Sequence, residues 1–540
     1  MFNHQFISKQ HQQTLIMNIN KLADTAAEHL RESYQEEMAT GKDVTPDNSY
    51  KFDLTPWKNR FNGMRVLFLV CGLQTGVRFG TKAQVNLGQI HPMGAGALTT
   101  VLKIAGCDVK LLDLPAEKMG SDDVLEVIEE FQPRFVAISC WSPTAKATFE
   151  LTDIIKAKFK DLSIVVGGPH TTSFPEVTLK MKESIDIVAV GEGEHVILEL
   201  AEHFYTGLLS LEDIKGIGYR ENGELIISPT RPRISNLDDL PYTDRSHFKK
   251  DAYAPLPQRY KRLPHFNLVT SRGCPYKCTF CFEAGRFGLK FRSQSPQRVV
   301  DEIKYLQKEF GAQEIHFWDD IFLVNKKWIF EFCNLLEKEN IDITWTCESR
   351  VDHVTPELLN RIAKAGCHSI FYGFESGVDK LLADMKKGVT VEQNRRAAEW
   401  TAKAGIGIRA SFILGLPRET PEDGQKTIDF ALSLPNLDSL FISFAAPQPG
   451  TELYDDVKDE IKMEEHEYID ELTKYTQFEV TYIAPAYKGQ EHLLYEMRAR
   501  TYRKFYFSFK FIWRQFKCIE SFSDIVRYYH AVKLALGMAF

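Results

Sequence analysis

The chain has 540 residues, 44% of them hydrophobic and 26% charged, with a formal net charge of −7. That is the composition of a globular protein, too long for one ordinary domain, so two to four units are expected. The mild acidity argues against a nucleic-acid partner, which would demand a basic footprint.

Residues 1–60 read as a helical or irregular arm. The opening stretch "MFNHQFISKQHQQTLIMNIN" has no continuous apolar core and no small-residue cleavage site. We therefore expect no signal peptide and a cytoplasmic location. No uncharged apolar run reaches the roughly 18–20 residues of a membrane-crossing helix.

From residue 64 strand and helix alternate. "MRVLFLV" (64–70), "CDVKLLDL" (107–114), "RFVAISC" (134–140), "LSIVVGG" (162–168) and "DIVAVG" (186–191) are apolar runs, separated by helical stretches. Such runs belong to strands buried on both faces, so residues 61–205 are expected to form an α/β unit, a doubly wound parallel sheet of about five strands. Ligands of such sheets lie beyond the carboxyl ends of the strands. Residues 206–262 hold two short strands (217–220, 225–227) and proline-rich turns such as "PTRPR", and read as a linker.

A second alternation fills residues 263–455. Its strands are "FNLVTSRG", "EIHFWDD", "DITWTCES", "HSIFYGFES", "GIRASFILGL" and "SLFISFAAP". About six β/α units imply a partial barrel, with chemistry at the carboxyl ends of its strands. The remainder, 456–540, is expected to be a helical extension. Its aromatic and basic run over 504–517 suits a helix packed on the barrel, with a membrane-surface helix as the alternative.

Three of the ten cysteines cluster, in "TSRGCPYKCTFC" (270–281). Cys274, Cys278 and Cys281 have the spacing C-x3-C-x2-C. The others, Cys71, Cys107, Cys140, Cys333, Cys347, Cys367 and Cys518, are scattered, so this is no disulfide framework. Soft thiolates favour zinc or iron–sulfur. A zinc site wants a fourth ligand, but His265 is upstream and the next downstream histidine is His316. A [4Fe–4S] cluster held by three cysteines leaves one iron for a non-protein ligand.

The cysteine spacing after the first strand of a partial barrel resembles the radical S-adenosylmethionine (SAM) enzymes. The resemblance implies that Cys274, Cys278 and Cys281 hold a [4Fe–4S] cluster, whose open iron binds the amino and carboxylate groups of SAM. It further implies that one-electron cleavage yields a 5′-deoxyadenosyl radical, with electrons from a flavodoxin or ferredoxin type of donor. Phe280 stands where the family packs adenine. Asp319 or Asp320, in "HFWDD", stands where the family places a Gly-Gly-Glu motif for the SAM ammonium; this chain lacks that motif, and a helix cap is the plainer reading. Arg350 suits the SAM carboxylate through its bidentate geometry, or is an ordinary ion pair. Glu375, in "YGFESG", is a candidate for a polar SAM contact, or a solvent-exposed loop residue. Ser411 and Gly415, in "RASFILGLPRET", match a fifth-strand SAM motif in part.

The first sheet has no G-x-G-x-x-G after its first strand and no Walker sequence. Its stretches "HPMGAGALTTVLKIAGCDVKLLDL" (91–114), "VVGGPHTTSFPE" (165–176) and "DIVAVGEGEH" (186–195) resemble the cobalamin-binding domain fused to radical SAM barrels. The resemblance spans about residues 64–450. It implies that the corrinoid lies between the sheet's carboxyl edge and the barrel. Gly167, Gly168 and Gly191 would permit close backbone approach, and Glu192 would hydrogen-bond corrinoid amides. The D-x-H-x-x-G motif of methionine-synthase-type domains is absent. His170 is expected to pack beside the corrinoid rather than ligate cobalt. The loop from Gly72 to Gly88 would cover the lower cobalt face.

The expected function is a cobalamin-dependent radical SAM methyltransferase acting on a small-molecule substrate, by way of methylcobalamin, at an unactivated carbon or a phosphinate phosphorus. The same cofactors in a radical cyclase, of the anaerobic tetrapyrrole ring-forming type, are the alternative. A cobalamin-binding sensor with a vestigial barrel is the reading from another class, and the intact cysteine triad argues against it.

Overall fold

The computed structural model describes residues 49–72, 90–249, 252–253, 255, 259–281, 289–448, 450–461 and 480–517. The arm before residue 49, the first-strand loop beyond Gly72 and Cys518 lie outside them.

Five parallel strands begin the first sheet: β1 (Arg65–Val70), β2 (Asp108–Asp113), β3 (Phe135–Ser139), β4 (Ser163–Gly167) and β5 (Ile187–Ala189). Their order is β2-β1-β3-β4-β5, which reverses between β1 and β3. Successive residues serve opposite cores. Val66 and Phe68 pack one face, Leu67 and Leu69 the other, which is why the sequence shows unbroken apolar runs rather than alternation.

The segment expected to be a linker does more than connect. β6 (Ile217–Glu221) and β7 (Glu224–Ile227) form a hairpin that adds to β5 antiparallel and extends the sheet to seven strands. Its turn is Asn222-Gly223, both at positive φ (51° and 85°). That is the two-residue turn whose twist suits a hairpin, and "NG" is its usual sequence.

The second sheet contains β8 (His265–Leu268), β11 (Glu314–Phe317), β12 (Thr344–Ser349), β13 (Cys367–Glu375), β14 (Gly407–Leu414) and β15 (Leu437–Phe444). All pairs are parallel and lie in chain order, from β8 at one edge to β15 at the other. This is the open, six-stranded barrel expected from the β/α count. A two-stranded pair, β9 (Ser271–Arg272) with β10 (Arg292–Ser293), follows β8 at its carboxyl end.

One residue in two along the barrel strands joins a single large core with the outer helices: Ile315 and Phe317, Trp345 and Cys347, Ile370 and Tyr372, Ile408 and Ala410. The residues between them face the lumen.

The helix His492–Tyr506 packs on the barrel. Tyr502 and Tyr506 accept hydrogen bonds from the edge-strand amides of Ile442 and Leu440 (2.9 and 3.4 Å). These bonds blunt an edge that would otherwise offer free pairing groups. The next helix, Phe509–Lys517, leaves Phe509 and Trp513 exposed. Among the described residues, no helix is long and apolar enough to cross a membrane.

Candidate active site between two sheet edges

Gly273 turns the chain out of β9 at φ 86°, and the loop that follows carries Cys274, Cys278 and Cys281. The Cys281 amide donates to the Cys278 carbonyl (3.0 Å). Two longer-range bonds clamp the loop: the Thr279 amide donates to Met385 O (3.0 Å), and the Leu453 amide donates to Thr279 O (2.9 Å). The three thiols are partly exposed, whereas the other described cysteines are buried. Burial still pushes the Cys274 thiol up to about 11, so ligation must expel a proton there.

Asp319 braces this loop from below. It accepts hydrogen bonds from the Thr270 amide (2.9 Å), Thr270 Oγ1 (3.0 Å) and Ser271 Oγ (2.5 Å). Burial raises it to about 6 against those bonds. All three bonds fall on Oδ1, which holds the strand before the cysteines; Oδ2 is buried without a hydrogen-bond partner and remains available as an acceptor. Asp319 is no helix cap, since Asn325 caps the next helix by accepting from the Trp328 amide. Asp320 is exposed and close enough to Cys274 to raise its thiol further.

Arg350, after β12, is buried against the loop. Its Nη1 lies 3.6 Å from Cys278 Sγ, and its Cζ sits 3.7 Å from the centre of the Tyr276 ring. Nε and Nη2 donate to Asp352 (3.0 and 2.9 Å), and Nη2 also donates to Lys387 O (2.5 Å). The expected ion pair exists, with its arginine buried and Asp352 exposed, and it points a guanidinium at a cysteine.

Glu375 is not exposed. It ends β13 at φ 63°, and its Oε1 accepts from Lys387 Nζ (2.8 Å). The carboxylate folds back over Gly373, where a Cβ would come within 2.1 Å of Oε1. Lys387 is itself buried, and its Nζ lies 5.9 Å from the Phe280 ring. Phe280 packs beside Ile413, Leu416 and Ala445, next to Gly415. Ser411 faces the lumen opposite Gly373. Cys278, Phe280, Arg350, Glu375, Ser411 and Gly415 thus border one region, joined by a lysine that the sequence reading missed.

Among the described residues, the carboxyl edge of the first sheet is uncovered. Trp141, after β3, keeps 46% of its surface exposed. A Cβ at Gly191 would meet nothing within 4 Å. Gly168 differs: it stands at φ 114°, and a Cβ there would lie 2.5 Å from Cys140 O, so its own chain requires the glycine. Gly167 ends β4 beside Ala189.

His170 is buried among Phe149 and Phe174, with Nδ1 3.2 Å from Ser142 Oγ. Burial lowers it to about 4, so it is neutral at pH 7. The unfolded chain takes the proton below about 6.5, and the folded chain resists until about 4. Stability from this site is therefore full above 6.5 and lost as the pH falls toward 4. Between pH 7 and pH 5 the loss amounts to about 2 kcal/mol. His170→Gln should narrow the difference between urea midpoints at those two pH values; an unchanged difference would count against the assignment.

Glu192 does not face an open site. Its Oε1 is held by Arg292 (2.7 Å) and Arg272 (3.2 Å), and its Oε2 accepts from the Ile234 amide (2.8 Å). Glu194 also pairs with Arg272. These bonds tie the carboxyl edge of the first sheet to the strand pair that leads into the cysteine loop. The two sheets therefore present their carboxyl ends to a shared space.

Two family models match this chain: the radical SAM superfamily over residues 268–431 and the B12 binding domain over residues 84–201. An uncharacterized methyltransferase of Pyrococcus horikoshii is 34% identical over 364 residues, 67% of this chain and 78% of that protein. The chain belongs to the cobalamin-binding radical SAM family. An anaerobic magnesium-protoporphyrin IX monomethyl ester cyclase of Rubrivivax gelatinosus is 29% identical, over 74% of this chain and 71% of its own length. The fold is that of TsrM, a radical SAM methyltransferase of Kitasatospora setae, with a TM-score of 0.62 at 18% identity, over 81% of this chain and 89% of TsrM.

This radical SAM enzyme therefore works with a [4Fe–4S] cluster, SAM and cobalamin. Its described residues fit those groups. No His, Cys, Asp and Glu side chains gather to hold a single metal ion among them, whereas a cluster takes one thiolate per iron. Three accessible thiols, backed by a buried guanidinium and a buried ammonium, form a donor set suited to such an anionic cluster. The open, small-residue edge beside Gly191 and Trp141 is a cradle suited to a flat macrocycle.

Proposed function

We propose that this enzyme transfers a methyl group from SAM, by way of cobalamin, to an unactivated carbon or a phosphinate of a small, lipid or tetrapyrrole-like metabolite. When bound, the cluster and SAM supply hydrogen-atom abstraction, and cobalamin supplies the methyl carrier. One arrangement carries the reading: the cysteine loop and the open sheet edge share one space, locked by Arg272 between Glu192 and Glu194. A methyl donor on one side and a radical source on the other need that proximity.

The chain's own residues have assigned parts in this reading. Cys274, Cys278 and Cys281 hold the cluster. Arg350 and Lys387 offset its charge and orient the SAM carboxylate. Phe280 and Gly415 wall the adenine, with Asp320, Glu375 and Ser411 as polar partners. Gly167, Gly168, Gly191 and His170 border the corrinoid. A small flavodoxin or ferredoxin type of protein delivers the electron.

The methyltransferase name of the relative at 34% identity supports transfer. The cyclase at 29% identity supports a second reading, ring closure with the same cofactors. SAM carrying a deuterated methyl group separates them. Methyl transfer predicts a product three deuteriums heavier than one made with ordinary SAM. An unlabelled product with a new ring would replace the first reading by the second.

A further inference from the structure

The barrel lumen contains a carboxylate that the described residues hold only loosely, with His316 Nε2 3.7 Å away. Glu348 lies on β12 between Cys347, which joins the outer core, and Ser349, so its side chain faces inward. Register sets it beside Phe371 on β13, and Phe371 beside Arg409 on β14. Parity turns Arg409 inward too, since Ile408 and Ala410 both join the outer core.

Arg409 is completely buried, and its Nη2 donates to Cys347 O at 3.3 Å. Its Nε and Nη1 have no hydrogen-bond partner. The guanidinium influences Glu348 through space without closing an ion pair on it. His316, also buried, puts Nδ1 2.5 Å from Thr346 Oγ1 and Nε2 3.7 Å from Glu348 Oε1. So Glu348 rests on a buried arginine and on a histidine that burial keeps neutral at pH 7, and neither saturates it. Its side chain keeps 23% of its surface open to the lumen.

The walls around it are aromatic, and two carry a cation: Arg259 Cζ lies 5.0 Å from the Trp318 ring centre and Arg409 Cζ 5.5 Å from that of Phe371. Phe371 and Phe441 have ring centres 5.9 Å apart, and Trp318 lies 4.9 Å from the His316 ring. All three are half-buried. Glu348 also stands one strand repeat, about 7 Å, below Arg350, whose guanidinium touches the cysteine loop.

We propose that Glu348 is the substrate-binding carboxylate of this enzyme. It accepts a hydrogen bond from an O–H or N–H group of a substrate whose flat, apolar body lies between Trp318, Phe371 and Phe441. A carboxylate has room for about four hydrogen bonds, and leaving one buried without a donor is costly. A substrate donor removes that cost and fixes which carbon lies below the cysteine loop. The inference rests on the reading that the lumen holds the substrate. It does not depend on whether the product is methylated or cyclised.

The test uses the reconstituted holoenzyme and two isosteric probes that lack the ring N–H, 3-hydroxymethyl-1-methylindole and 3-ethyl-1-methylindole, measured by titration calorimetry. The hydroxyl probe should bind about tenfold more tightly or better, the size expected of a hydrogen bond to a charged group. In Glu348→Gln that preference should fall to about threefold or less, and Glu348→Asp should restore part of it. Equal affinities in the wild type, or a preference unchanged in Glu348→Gln, would overturn the proposal. So would binding of neither probe, or tighter binding of 1-methylindole-3-carboxylate than of both, which would assign the lumen to an anion. The wild-type comparison decides the matter even where Glu348→Gln folds poorly. Methyl labelling and probe binding fail separately, so loss of one reading leaves the other standing.

Discussion

A Cys278→Ala chain, reconstituted anaerobically with iron and sulfide, is expected to hold almost no [4Fe–4S] cluster and to form no measurable 5′-deoxyadenosine from SAM. The drop should be at least about a thousandfold, because changes outside the ligand set cost about 10–100-fold and this one removes a ligand. Cys278 is the middle cysteine of the loop and lies 3.6 Å from Arg350 Nη1. Its loss leaves two thiols and a guanidinium whose Nη1 no longer has a thiolate to face. Cobalamin binding should survive, since the open edge beside Gly191 belongs to another sheet. Iron and sulfide analysis, the visible spectrum and the SAM-cleavage assay read the three parts separately. A cluster spectrum identical to the wild type would remove Cys278 from the ligand set.

Much of this was legible because burial on both faces of a parallel sheet leaves unbroken apolar runs. "MRVLFLV" and "LSIVVGG" announced β1 and β4 without help from the fold. The cysteine triad was equally plain, since its spacing is local and its loop follows a strand. The hairpin β6–β7 was half legible: its strands and its Asn222-Gly223 turn stand in the sequence, but nothing there says that the hairpin joins β5.

What escaped reading depends on pairing across distance. Lys387 looks like a surface lysine in "MKKGVT". It is buried because the chain returns after the helix Asp379–Asp384 and brings it to Glu375. Asp319 looked wholly free to meet an ammonium, whereas Thr270 and Ser271, from another strand end, engage its Oδ1 and leave only Oδ2 unpartnered. Glu192 looked ready for a corrinoid amide, yet two arginines from the β9–β10 strand pair reach it first. In each case residue chemistry was readable and its partner was not. The row Glu348, Phe371, Arg409 is the extreme case, since only the register of three strands creates it.

Arg272 carries the largest expected effect on stability. It stands two residues before Cys274 and pairs with Glu192 and Glu194, whose side chains are 5% exposed. Burial alone would raise Glu192, but Arg272 and Arg292 hold it below the usual carboxylate range. Arg272→Met removes one cation and leaves two buried carboxylates with only Arg292 nearby. Breaking a buried pair from one side costs about 3–5 kcal/mol, whereas replacing all partners by apolar groups of like size is often neutral. The single variant should therefore lower the urea midpoint strongly and lose iron during reconstitution, because the cysteine loop is no longer tied to the first sheet. Adding Glu194→Gln, which leaves Glu192 paired with Arg292, should recover most of the stability without restoring the tie. Cluster content and cobalamin retention would then stay low in a chain that folds well. That split separates the two roles of the pair: the charges make the single loss expensive, and the link between the sheets holds the reacting groups within reach. An Arg272→Met chain with a wild-type midpoint would show that the sheets are held together elsewhere.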